Sequence, residues 1–122
     1  SLSDTAIRES LEEINLNPND VKIIGELNSI ESRFGLSVTP FVAEIKSDLV
    51  LKADPNEVNA IFNIPISFFR DSPNISNKVT NYKGESFNTP VFNFESHQIW
   101  GLTLAFTLNF LELLDIQFDY DL

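Results

Sequence analysis

An α+β fold is what this 122-residue sequence predicts, and three observations carry it. Ile7, Leu11 and Ile14 recur at helical spacing near the start. Two stretches rich in Val, Ile and Phe follow in the first half, and a second pair flanks turn residues around Gly84. The chain then closes on a long apolar run of helical length. A chain of this size buries roughly two thirds of the surface that its unfolded form exposes, so one domain with a modest core is the expectation.

Taken in order, Asp4 is read as the cap of a helix that starts at Thr5 and turns Ile7, Leu11 and Ile14 inward. The helix ends near Asn15, a residue type that tolerates the left-handed conformation, and Pro18 follows where it cannot continue the helix. Residues 17–20 make a turn. Residues 21–27 and 37–45 are read as strands of a long-looped hairpin, separated by a polar segment containing Gly35. Residues 58–66 give a third apolar run, read as a strand that Pro65 ends and Glu57 precedes. Residues 78–82 and 87–94 form a hairpin around the turn 83–86. Trp100 and Gly101 turn the chain, with the indole buried, into a final helix reaching about residue 114.

Composition excludes several classes. With 43% hydrophobic residues, including eleven Phe, the chain has enough apolar surface to fold. Its formal charge of −10, from 18 acidic against 8 basic residues, repels a phosphate backbone, so nucleic acid is not an expected partner. That acidity has two readings, solubility and carboxylates gathered to hold cations. The chain has no Cys, which excludes disulfides, thiolate metal sites and Cys nucleophiles. The single His97 excludes a multi-histidine site and leaves oxygen ligands, which suit magnesium or manganese. Residues 99–116 are apolar, but Thr103, Thr107, Asn109, Glu112 and Asp115 interrupt them, so a buried helix is expected and no membrane span. Met is absent altogether and no signal peptide is visible, so the start reads as an internal cut; a cytoplasmic location is expected.

The most informative segment is AIRESLEEINL, residues 6–16, where Arg8, Glu9, Glu12 and Glu13 lie within about one and a half turns. On a helix the acids are related as i, i+3 and i+4, so they share one side while the apolar residues hold the other. Like charges so close repel by a few tenths of a kcal/mol per pair, a cost that a cation among them reverses. As a generic pattern, Arg-Glu-x-x-Glu-Glu also occurs on solvated helices, and both readings stand at this level.

The segment resembles the second half of the Nudix box, Gly-x5-Glu-x7-Arg-Glu-U-x-Glu-Glu-x-Gly-U, with U an aliphatic residue. Arg8, Glu9, Glu12, Glu13 and Leu16 match in place, while Ser10 stands for an aliphatic and Asn15 for the Gly. The resemblance continues through VKIIGEL, VTPFVAEI, NEVNAIFNIPIS and IWGLTLAF, similar in order and spacing to the coenzyme A diphosphatase branch. It implies a Nudix-type α/β/α sandwich with a mixed β-sheet, forming a single domain over residues 1–122. Counting back from Arg8 puts the first Glu of the box just before Ser1 and its Gly further upstream, so the domain is expected to lack its N-terminal strands and the first half of the box.

What the resemblance implies chemically is hydrolysis of a phosphoanhydride in a nucleoside diphosphate derivative, with water as nucleophile and Mg2+ or Mn2+ as cofactor. Glu9, Glu12 and Glu13 would be the metal ligands, and Arg8 would orient and balance charge. The base is left open between these acids and the upstream Glu. Coenzyme A would give 4′-phosphopantetheine and adenosine 3′,5′-bisphosphate, by the full-length parent and not by this stretch alone. Partners would be that small molecule, with no nucleic acid or membrane, and a homodimer is compatible. Another nucleoside diphosphate derivative, a Nudix-fold binding module and an unrelated acidic domain are the alternatives. Glu57 and His97 are assigned no role.

Overall fold

The computed structural model describes residues 1–32 and 34–122, which fall into two compact units, Ser1–Asn63 and Ile64–Leu122. Its helices and antiparallel sheets make an α+β chain, as the sequence predicts. No helix among the described residues is long and apolar enough to cross a membrane.

In the first unit, helix α1 spans Leu2–Ile14. It starts earlier than expected because Ser1, not Asp4, is the cap: the Asp4 N–H donates to Ser1 Oγ at 3.2 Å, and Thr5 is already inside the first turn. The expected C-terminus is correct, with Asn15 left-handed at φ 58° and ψ 35°. Strand β1, Val21–Glu26, follows a short 3-10 turn at Pro18–Asp20. Two brief strands, β2 (Ile30–Glu31) and β3 (Ser37–Val38), pair with each other, and β4 (Phe41–Ile45) pairs antiparallel with β1. The anticipated long-looped hairpin is therefore present, with its second strand broken at Thr39 and Pro40. Proline lacks the N–H that a continuous ladder would need there. The register slips between Ile23 and Gly25, a bulge that ends the in-out alternation of β1.

Residues 58–66 do not form the expected strand; no ladder partner lies beside them among the described residues. Pro65 instead leads a 3-10 turn over Ile66–Arg70, because its fixed φ suits the start of a turn and its missing N–H does not suit a ladder.

In the second unit, β5 (Ile75–Tyr82) and β6 (Glu85–Phe94) form a regular hairpin, and β7 (His97–Ile99) folds back onto β6. The turn is only Lys83-Gly84, both at positive φ (51° and 78°), the geometry whose twist matches that of two antiparallel strands. Helix α2, Gly101–Leu113, begins after Trp100, where Gly101 takes φ 65°. The indole is not buried as anticipated: Trp100 stays 40% exposed, with Lys78 Nζ 4.5 Å from its ring centroid. The core is Phe69, Phe92, Ile99, Leu104 and Leu111, with Phe68 edge-on to Phe69 and Phe94. Tyr120 packs its ring 5.5 Å from that of Phe92.

All strand pairs among the described residues are antiparallel, and the parallel pairing that a mixed sheet would contain is not among them. Parallel neighbours need a crossover, usually helical, between two strands. Among the described residues α1 precedes the strands and α2 follows them.

Candidate functional site

Helix α1 carries the carboxylates and is fixed at both ends. At its C-terminus the Asn15 N–H donates to the Leu11 carbonyl at 3.0 Å and the Leu16 N–H to that of Ser10 at 3.3 Å, a closure that the left-handed Asn15 permits. Leu16, the position where the box has an aliphatic residue, is buried. Ser10 directs its hydroxyl back to the Ala6 carbonyl at 2.9 Å, so this polar substitute for an aliphatic residue is satisfied within the helix.

A second restraint had no counterpart in the sequence reading. The N–H groups of Lys52 and Asp54 donate to the carbonyls of Ile14 and Glu13 at 3.1 and 2.8 Å, supplying partners that a helix end otherwise lacks. Asp54 is held in turn by its own loop, where its carboxylate accepts from the Asn56 N–H and its carbonyl from Val58. The Asp-Pro-Asn run at 54–56 is a readable turn signal, but its tie to the helix is a long-range contact that no local pattern reveals. Glu57 lies in this turn, exposed.

Among the acids, Glu9 and Glu12 are exposed and Glu13 is half-buried. Arg8 Nη1 donates to Glu12 Oε1 at 3.2 Å, the one-turn pairing expected from the spacing. Both side chains are about 60% exposed, so the contact orients Glu12 and contributes at most about 0.5 kcal/mol. Ile7 and Ile14 are half-buried and Leu11 is 41% exposed, so the apolar face is only partly covered, short of the inward packing anticipated.

The donor chemistry fits a hard divalent cation, since all three candidate groups are carboxylates. Their arrangement is open: among the described residues no three of His, Cys, Asp and Glu come together as a metal cage. His97 pairs with Phe94 in the β6–β7 register and is half-buried. A depression of about 220 Å³ lined by Thr89, Pro90, Gly101, Leu104, Ala105 and Leu108 carries no charged side chain and offers nothing to a phosphoanhydride.

An α+β chain with a capped carboxylate helix is what fold and site define. No protein-family model matches it. It is similar to the Photorhabdus laumondii protein described as uncharacterized Nudix hydrolase NudL, 32% identical over 103 residues, 84% of this chain and 55% of that protein. The Escherichia coli protein of the same description is 31% identical over 103 residues, covering 84% of this chain and 54% of the relative. A Shigella boydii relative, also so described, gives the same figures. The chain thus spans about half the length of the curated relatives it matches. This similarity supports the Nudix hydrolases as its family, with which the α+β architecture is consistent.

Proposed function

We propose that this chain is part of a Nudix-type pyrophosphohydrolase that cleaves a phosphoanhydride in a nucleoside diphosphate derivative, with coenzyme A as its substrate. The observation that supports the reading is helix α1 itself, which bears Arg8, Glu9, Glu12 and Glu13 at the spacing of the box it resembles and ends on a left-handed Asn15 where the box has Gly. The similarity to Nudix hydrolases over 103 residues supports it. The coenzyme A assignment rests on the run of segments from residue 21 to residue 106 that resembles that branch.

In this reading Glu9, Glu12 and Glu13 would hold Mg2+ or Mn2+, which when bound offsets charge on phosphoryl oxygens and acidifies a water. Arg8 keeps Glu12 oriented through the 3.2 Å contact and balances part of the local negative charge. The ties from Lys52 and Asp54 fix the last turn, from which Glu13 projects, and so limit the rotation that would misplace it. A carboxylate not engaged with the cation, one of these three or the upstream Glu of the box, would take up the proton of the attacking water.

The test is a substrate panel run on protein of the relatives' full length and on residues 1–122 alone, with Mg2+ or Mn2+ added. Release of 4′-phosphopantetheine and adenosine 3′,5′-bisphosphate by the longer protein, with a specificity constant above those for ADP-ribose, dinucleoside polyphosphates and nucleoside triphosphates, is the expected result. The shorter chain is expected to be inactive. A higher constant for another of these compounds reassigns the substrate, and no turnover of any of them favours a binding module.

A further inference from the structure

We infer that Asp54 is a positioning residue for the cation site, a role that rests on the function proposed above, in which Glu13 is a ligand. Its carboxylate closes the turn that seats Glu13 and so sets the affinity for the cation without touching it. The three acids of α1 are held unequally. Glu12 is oriented within its own helix, by Arg8 one turn away at 3.2 Å. Glu13 is half-buried and sits on the last turn, and helix ends open at little cost unless something outside the helix holds them. What holds this one is the segment 52–54, whose Lys52 and Asp54 N–H groups donate to the Ile14 and Glu13 carbonyls at 3.1 and 2.8 Å. All of these residues lie in the first unit.

An N–H holds a carbonyl well only if its own direction is fixed, and three features fix that of Asp54. Pro55 follows it, which disfavours the helical region for the Asp54 backbone and sets φ at the next position. The Asp54 carbonyl accepts from the Glu57 and Val58 N–H groups at 3.0 and 2.8 Å. Asp54 Oδ1 accepts from the Asn56 N–H at 3.0 Å, a side-chain turn that Asp and Asn form and Ala cannot.

Only this last restraint depends on the side chain of residue 54. It needs an acceptor oxygen and no charge, so Asn serves as well as Asp. A carboxylate acting on the cation directly would lose its charge in Asp54→Asn, and there the two roles part.

The test uses protein of the relatives' full length and Mn2+, whose binding is read from the electron paramagnetic resonance signal of the free ion, apart from any turnover. Amide exchange in the metal-free protein reads the tie itself. Asp54→Ala is expected to raise the Mn2+ dissociation constant roughly tenfold and to speed exchange at the residue-54 amide by a similar factor, as an opened helix end does. Asp54→Asn should stay within about twofold of the wild type in both. In Glu13→Gln, which itself weakens Mn2+ binding, adding Asp54→Ala should change the constant by less than about threefold, because the ligand being positioned is gone. A merely weakened fold would instead lower the amount of binding protein and leave the constant of the remainder unchanged. Should Asp54→Ala not fold, Asp54→Ser takes its place with an expected rise of about threefold, since a hydroxyl closes the same turn more weakly. An unchanged constant, an Asp54→Asn as impaired as Asp54→Ala, or an undiminished loss in the Glu13→Gln background overturns the role of Asp54 alone. A Glu13→Gln that binds Mn2+ like the wild type overturns the proposed metal ligation as well, so the two failures are distinct.

Discussion

The Asp54 N–H donates to the Glu13 carbonyl at 2.8 Å, so a loop some forty residues along the chain holds the last turn of the carboxylate helix. Together with the left-handed Asn15, this contact closes the last turn of α1, which carries Glu13.

The ending predicts an asymmetry between small substitutions. Asn15→Gly should leave stability unchanged within about 0.5 kcal/mol, because glycine adopts φ 58° without strain. Asn15→Ala should cost roughly 1–2 kcal/mol, since an alanine Cβ opposes that conformation. Urea unfolding midpoints of the three proteins measure the difference, and equal losses for both variants would contradict the closure described.

A second prediction separates chemistry from stability at the acids. In the full-length enzyme of the proposed function, Glu12→Gln and Glu13→Gln should each lower metal-dependent turnover by roughly 10²-fold or more. The Arg8–Glu12 contact is exposed, so Glu12→Gln should shift stability by no more than about 0.5 kcal/mol. Turnover measured beside thermal melting decides it; unchanged turnover in both variants removes these residues from the mechanism.

The third concerns Tyr120, whose hydroxyl donates to the Phe69 carbonyl at 2.5 Å. Burial, and then the neighbouring charge of Asp119, raises its phenol from an ordinary 10.0 to about 12. The folded chain thus favours the neutral phenol. Its contribution to stability is complete below pH 10 and fades as the pH rises from 10 toward 12. Tyr120→Phe should cost roughly 1 kcal/mol at neutral pH through the lost hydrogen bond and should flatten the decline in that window. Denaturant midpoints against pH for both proteins test it, and parallel curves would show that Tyr120 is not the source.

Much of this was legible locally. The Asn15 ending, the β1–β4 hairpin, the turn at Gly84 and the closing helix each follow from a residue whose backbone preference or spacing acts over a few positions. What escaped depends on neighbours distant in sequence. Residues 58–66 have the apolar content of a strand but no ladder beside them, and apolar content alone does not supply one. Trp100 looked like a core residue by type, whereas its ring stands partly exposed under Lys78. At the site, the Arg8–Glu12 pair was readable from one-turn spacing; the tie from Asp54 was not.

The two-residue turn at Lys83-Gly84 also bears on the order in which the chain acquires its shape. Bringing Tyr82 to Glu85 closes almost no loop, and each later pair of that hairpin zips from the one before. Joining Glu26 to Phe41 must first close the segment from 27 to 40, where only the two residue pairs of β2 and β3 intervene, so more entropy is spent before that ladder forms than at the two-residue turn. Amides of β5 and β6 should therefore gain protection before those of β1 and β4 in pulse-labelled hydrogen exchange during refolding. The reverse order would mean that the apolar contacts of the first unit, and not loop length, govern where structure begins.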